Sequence, residues 1–131
     1  MNNSVNKKSK WQQFEGDIRL ATYPQISELE IFIHSDSETI GRLDNFFISH
    51  SIIAFRDVSK LEIPILATRD SEIEKKFFGS IRPAKCSDES EFEIRFNSTS
   101  ADAITALDAF FRSKGVIGNK AQKVLIIPLN S

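Results

Sequence analysis

The residues best suited to chemistry are few and can be taken in turn. His34, Asp36 and Glu38 stand at alternate positions, and on an extended chain that spacing sends an imidazole and two carboxylates to one side, as a metal site requires. Glu30 and Glu93 occupy matching places in two similar segments, and two carboxylates brought together can divide acid and base duties. Ser49-His50-Ser51 sets hydroxyls beside an imidazole, the ingredients of nucleophilic catalysis.

Each pattern has a structural alternative of greater weight. Asp36 and Glu38 fall where a helix should start, and helix initiation would spoil convergent ligand geometry. Glu30 and Glu93 belong to alternating strand faces, where a carboxylate is ordinarily solvated. Sequence neighbours seldom reach triad geometry, and the five glycines are scattered, so no nucleophile elbow or phosphate loop is present. The sequence therefore predicts no metal and no cofactor, and reads against an enzyme.

The elements that would position these residues come from an internal repeat. Gly16-Asp17-Ile18-Arg19-Leu20-Ala21 answers to Gly79-Ser80-Ile81-Arg82-Pro83-Ala84, and Ser27 to Ile31 answers to Ser90 to Ile94, at an offset of 63. After a one-residue insertion, Ile40 to Ser49 matches Ile104 to Ser113, and Leu61 to Pro64 matches Leu125 to Pro128. Together the two registers give 19 identities in 51 aligned pairs, against about one in twenty by chance, which marks a duplication.

Within each copy Leu29, Ile31 and Ile33, or Phe92, Ile94 and Phe96, alternate with polar residues and predict a strand. Ser35-Asp36-Ser37-Glu38 and Thr99-Ser100-Ala101-Asp102 then predict helix starts with Ser35 and Thr99 as caps. Ile40, Leu43 and Phe47, and Ile104, Leu107 and Phe111, supply one apolar face. Gly115 closes the second helix, whereas Gly41 weakens the first and Phe46 to Phe55 could be extended. Apolar strands Leu61 to Ala67 and Val124 to Leu129 end the copies, each with a proline that points to an edge or bulge. Ser71 to Gly79 reads as a short helix. The fold class is α+β: an internally duplicated ββαββ-type unit with pseudo-twofold symmetry, its helices packed on a mixed or antiparallel sheet. Residues 1–10 form a polar basic tail, and 11–131 form one domain of two repeats, about 11–67 and 74–131.

Composition bounds what such a domain can do. Seventeen basic and eighteen acidic residues leave a net charge of −1, so no global field draws in nucleic acid or an anionic membrane. Cys86 is alone, which excludes an internal disulfide and fits a reducing, cytoplasmic setting. No apolar run approaches a signal core or a membrane span. Eleven phenylalanines stand beside one Trp and one Tyr. Three of the Phe form adjacent pairs with three more: Phe46-Phe47, Phe77-Phe78 and Phe110-Phe111. Helical neighbours point about 100° apart, so one partner of each pair must find a second surface.

Two resemblances follow. Paired β-α-β-β-type units are similar in repeat length to the vicinal-oxygen-chelate enzymes, which implies ligands on the strands of both copies; Glu30, Glu93 and His34 are the loose matches, and Asn97 replaces a second imidazole. Phe14-Glu15-Gly16-Asp17 resembles the acidic end of the LAGLIDADG signature helix, and Leu107 to Ile117 resembles its second helix and turn, which implies nucleic-acid binding. Gly79 and Ser80 stand where a second acid should be, and no family is assigned on the sequence.

The sequence thus predicts a non-enzymatic binding or protein-interaction module with a protein partner or homodimer, its interface drawn from Phe32, Phe46, Phe55, Phe78 and Phe110. A small metal-dependent or acid-base enzyme, with a site between the repeats around Glu30, Glu93 and His34, is the first alternative. A degenerate LAGLIDADG-like nucleic-acid binder using Lys7, Lys8, Lys10, Arg19 and Arg82 is the second.

Overall fold

The computed structural model describes residues 11–22, 27–65, 75–84 and 92–129. The chain runs β1 (Gln12–Leu20), β2 (Leu29–His34), α1 (Ser37–Ser49), β3 (Phe55–Arg56), β4 (Lys60–Ile65), β5 (Lys75–Pro83), β6 (Phe92–Asn97), α2 (Ala101–Ser113), β7 (Asn119–Lys120) and β8 (Val124–Leu129). Among the described residues the strands form one eight-stranded sheet in the order β3-β4-β2-β1-β5-β6-β8-β7, with every pairing antiparallel. This is an α+β architecture with both helices packed into one core beneath the sheet.

Period-two patterning decides which side of the sheet is buried. Ile31, Ile33, Leu61, Ile63, Ile94 and Phe96 face the helices and are buried. Ile40, Leu43 and Phe47 of α1 and Ile104, Leu107 and Phe111 of α2 meet them. Each such side chain, fully removed from water, contributes about 1.5–3 kcal/mol before entropy is counted. The Phe47 and Phe111 rings stack at 6.0 Å between the two helices.

The central pair β1 and β5 sets Gly16 opposite Phe77 and Phe14 opposite Gly79. A Cβ on Gly79 would run into the Phe14 ring, and one on Gly16 into the Phe32 carbonyl. Glycine is therefore required at both places, because large rings cross the sheet where the backbones need side-chain-free surface.

Both helices start one residue later than the sequence predicts. Asp36 caps α1, its carboxylate accepting from the Thr39 N–H at 2.8 Å, and Ser100 caps α2 through the Ala103 N–H at 3.3 Å. Ser35 and Ser98 do other work: their hydroxyls donate to the Gln13 and Lys76 carbonyls and tie each helix start to the central strands. Helix α1 continues through Phe47 to Ser49, so Gly41 does not break it. Both helices close alike. Ser51 at φ 62° and Gly115 at φ 82° take the left-handed conformation, and the next amides, of Ile52 and Val116, donate to the Phe47 and Phe111 carbonyls.

Lys75 to Gly79 lie in strand β5, not in a helix, while residues 71–74 fall outside the described residues. Strand pairing overrides the local cap pattern here because β5 is bonded on both sides, by β1 and β6. Pro64 and Pro128 lie where β4 and β8 face Glu30 and Glu93 inward, beyond the short pairings of β3 and β7. No helix is long and apolar enough to cross a membrane among the described residues.

Candidate functional site

The helices cover one face of the sheet, and the other carries the residues of interest. Odd positions of β1 and even positions of β2, β4, β5 and β8 point to this helix-free face. Glu15 of β1 and Phe78 of β5 sit opposite each other at its centre. Phe78 is 60% exposed there, an aromatic ring in the middle of a sheet with little over it. The pair Phe77-Phe78 is split by strand geometry, Phe77 into the core and Phe78 outward.

Two arginine–aromatic stacks flank the centre. The Arg19 guanidinium lies 3.8 Å over the Phe32 ring, and Arg82 lies 4.2 Å over Trp11, which is itself 55% exposed. Arg19 also holds Glu30, donating from Nε to Oε2 at 3.1 Å, while the Thr22 N–H and hydroxyl donate to the same carboxylate. That network satisfies a carboxylate only 2% exposed. Glu93, 63 residues further along and 6% exposed, meets Arg95 at the longer distance of 3.5 Å, and Arg82 donates instead to Ser80. Burial, joined by repulsion from Arg95 and opposed by attraction from Glu93, pulls the Arg82 guanidinium below its ordinary pKa.

The structure separates the residues that chemistry would have needed together. Glu30 faces Arg19 near one end of β1, and Glu93 faces Arg82 level with Trp11 beyond the other end. Two strands lie between them, so the carboxylates are roughly 30 Å apart and cannot share a substrate as acid and base. His34 is exposed and reaches Glu15 at 3.6 Å, while Asp36 is turned to its cap on Thr39. Among the described residues no group of three His, Cys, Asp or Glu could hold a metal. Ser49 donates to the Phe46 carbonyl, and the His50 ring packs at 4.7 Å on Phe46 as α1 ends, so this run terminates a helix.

Among the five phenylalanines expected at an interface, Phe32, Phe55 and Phe78 share the helix-free face. Phe46 does not: it is 7% exposed and belongs to the core, because α1 presents it inward beside Phe47. Phe110 is half-buried on α2 against Phe111 and Lys114. Arg19 and Arg82 stand at opposite ends of the face, and Lys7, Lys8 and Lys10 lie outside the described residues.

Sequence reasoning missed Trp11, Arg95 and Ile126, which complete this face beside Arg82 and Ser80. The signal was there in the alternation of Phe14, Gly16 and Ile18 with Gln13, Glu15 and Asp17, which defines β1 and places the lone Trp next to it. Comparison of the chain with protein-family models, with curated proteins and with solved structures finds no match.

Proposed function

We propose that the chain is an internally duplicated, non-enzymatic protein-interaction module, and that the helix-free sheet face is its binding surface. The two units are 11–67 and 74–131, each ββαββ, related by a pseudo-twofold axis passing between Glu15 and Phe78. Repeated hydrogen bonds at the offset of the sequence repeat support this. Ser35 to Gln13 corresponds to Ser98 to Lys76, Ser49 to Phe46 corresponds to Ser113 to Phe110, and Ile52 to Phe47 corresponds to Val116 to Phe111.

One observation carries the functional reading: Phe78 projects from the middle of a sheet with the opposite side already occupied by a complete core. A ring that stabilises folding would be packed; a ring that anchors a partner is exposed until the partner arrives, and aromatic and arginine side chains dominate such anchors. Phe78, Trp11 and Arg82 supply that combination on one face. Acidic and basic side chains are both present around them, which suits a protein surface better than a polyanion.

Panning a displayed library of random peptides on the purified protein tests the reading. Peptides should emerge that lose about tenfold or more in affinity on Phe78→Asp and keep it on Asn45→Asp, a change on the exposed side of α1. A library that yields no binders, or binders indifferent to Phe78→Asp, would overturn it.

A further inference from the structure

The helix-free face is electrically divided along the seam between β1 and β5. On the β1–β4 side Glu15, Asp17, Glu30 and Glu62 outnumber Arg19 and Lys60. On the β5–β8 side, among the described residues, Lys76, Arg82 and Arg95 outnumber Glu93. Among the described strand residues of this face, one half is therefore net acidic and the other net basic by the same amount.

We infer that the partner on this face is a second copy of the chain, packed sheet to sheet about a twofold axis running along the β1–β5 seam. This rests on the reading of the face as a binding surface. An axis in that direction lays the acidic half of each copy over the basic half of the other, twice over. An axis across the strands would set each half on itself, like charge on like. A polyanion would be repelled by the whole β1–β4 side, and a uniformly acidic or basic protein would be opposed by one half or the other.

Size agrees with this occupant. Six strands at ~4.8 Å spacing, about six residues long, present roughly 600 Å² in projection. The relief of Phe78, Trp11 and the long charged side chains brings the accessible area towards the ~800 Å² per partner of a standard interface. Phe78, beside the seam, comes to lie near the centre of such a sandwich, where an anchoring ring is dehydrated most completely.

The test is sedimentation equilibrium of the full chain over micromolar to millimolar concentration, at low and high salt, with two charge-swapped variants. One is Glu15→Lys with Glu62→Lys, which makes the acidic half basic; the other is Lys76→Glu with Arg95→Glu, which makes the basic half acidic. The wild type should dimerise, more weakly at high salt. Each variant alone should dimerise at least about tenfold less well, and an equimolar mixture should recover the wild-type constant within a few-fold, which an unfolded variant could not do. A wild type that stays monomeric throughout, a dimer unaffected by both swaps, or a mixture without recovery would overturn the inference. If monomers still bind the selected peptides in a Phe78-dependent way, the face remains a binding surface for another protein; if they do not, both readings fail.

Discussion

The two halves of the sheet agree on the side facing the helices and differ on the side facing away. Beneath the sheet Ile31 and Ile94, Leu61 and Leu125, Ile63 and Ile127, and Phe47 and Phe111, pairs 63 or 64 residues apart in sequence, are all buried. On the helix-free side Phe32 corresponds to Arg95, Phe55 to Asn119, Glu62 to Ile126 and Glu15 to Phe78. Close packing explains the first: a core position surrounded on all sides tolerates little change of volume. The second is packed less completely, with Phe78 60% exposed, so side chains there can differ in size and charge. The residues common to both outer faces are Arg19 and Arg82, Glu30 and Glu93, and Pro64 and Pro128, and even these are wired differently.

The largest effects should fall on the shared side. Phe47→Ala and Phe111→Ala should each cost about 3–5 kcal/mol in denaturant titrations. The double variant should cost less than their sum, because the two rings touch. Equal single costs would support equivalence of the halves, and a cost in only one would break it.

Next come the central glycines. Gly16→Ala should be the more harmful, at about 3 kcal/mol, because its Cβ lies closest to a backbone carbonyl, that of Phe32, whereas the Cβ of Gly79→Ala meets first the Phe14 ring and less closely the Arg95 carbonyl. Equal losses in thermal unfolding would show that the Phe14 ring is as fixed as the backbone.

Smaller differences separate the outer carboxylates and the helix ends. Glu30→Gln should cost about 1–3 kcal/mol by losing a buried, charge-assisted network, and Glu93→Gln less than about 1 kcal/mol. Ser51→Gly should stabilise by about 0.5–1 kcal/mol, since glycine adopts the left-handed conformation freely, and Gly115→Ser should cost a similar amount.

The smallest effect is in pH. Hydrogen bonding from Thr39 holds the Asp36 carboxyl below its ordinary range, so the folded chain binds that proton less readily than the unfolded chain. The cap's contribution is complete above the unfolded carboxyl value of about 3.9 and fades as pH falls through the lower folded value. Asp36→Ser, which copies the cap of α2, should flatten that part of the stability curve below about pH 5.

Most of the architecture was legible in the sequence, for physical reasons visible in particular residues. Ile31 and Ile33, or Ile40, Leu43 and Phe47, carry the periods of 2 and 3.6 that burial imposes on a strand and a helix. Segment Ser71 to Gly79 misled because its cap pattern is local, whereas Lys75 to Pro83 is fixed by two neighbouring strands distant in sequence. The candidate face was only half legible. Phe32, Phe55 and Phe78 were identifiable as unmatched aromatics, but Trp11, Arg95 and Ile126 join them through the register of β1, β6 and β8, which periodicity does not specify.

The most direct test of the account compares the denaturation midpoints of wild type and Phe78→Ser across a hundredfold range of protein concentration, about 1 μM to 100 μM. If the helix side holds the fold and the other side holds a second copy, the two midpoints coincide when dilute. The wild-type midpoint then rises with concentration, as mass action requires, while that of Phe78→Ser stays level. A Phe78→Ser midpoint well below wild type at every concentration would make Phe78 a part of the fold, and two level, coincident midpoints would leave the face without the partner assigned to it.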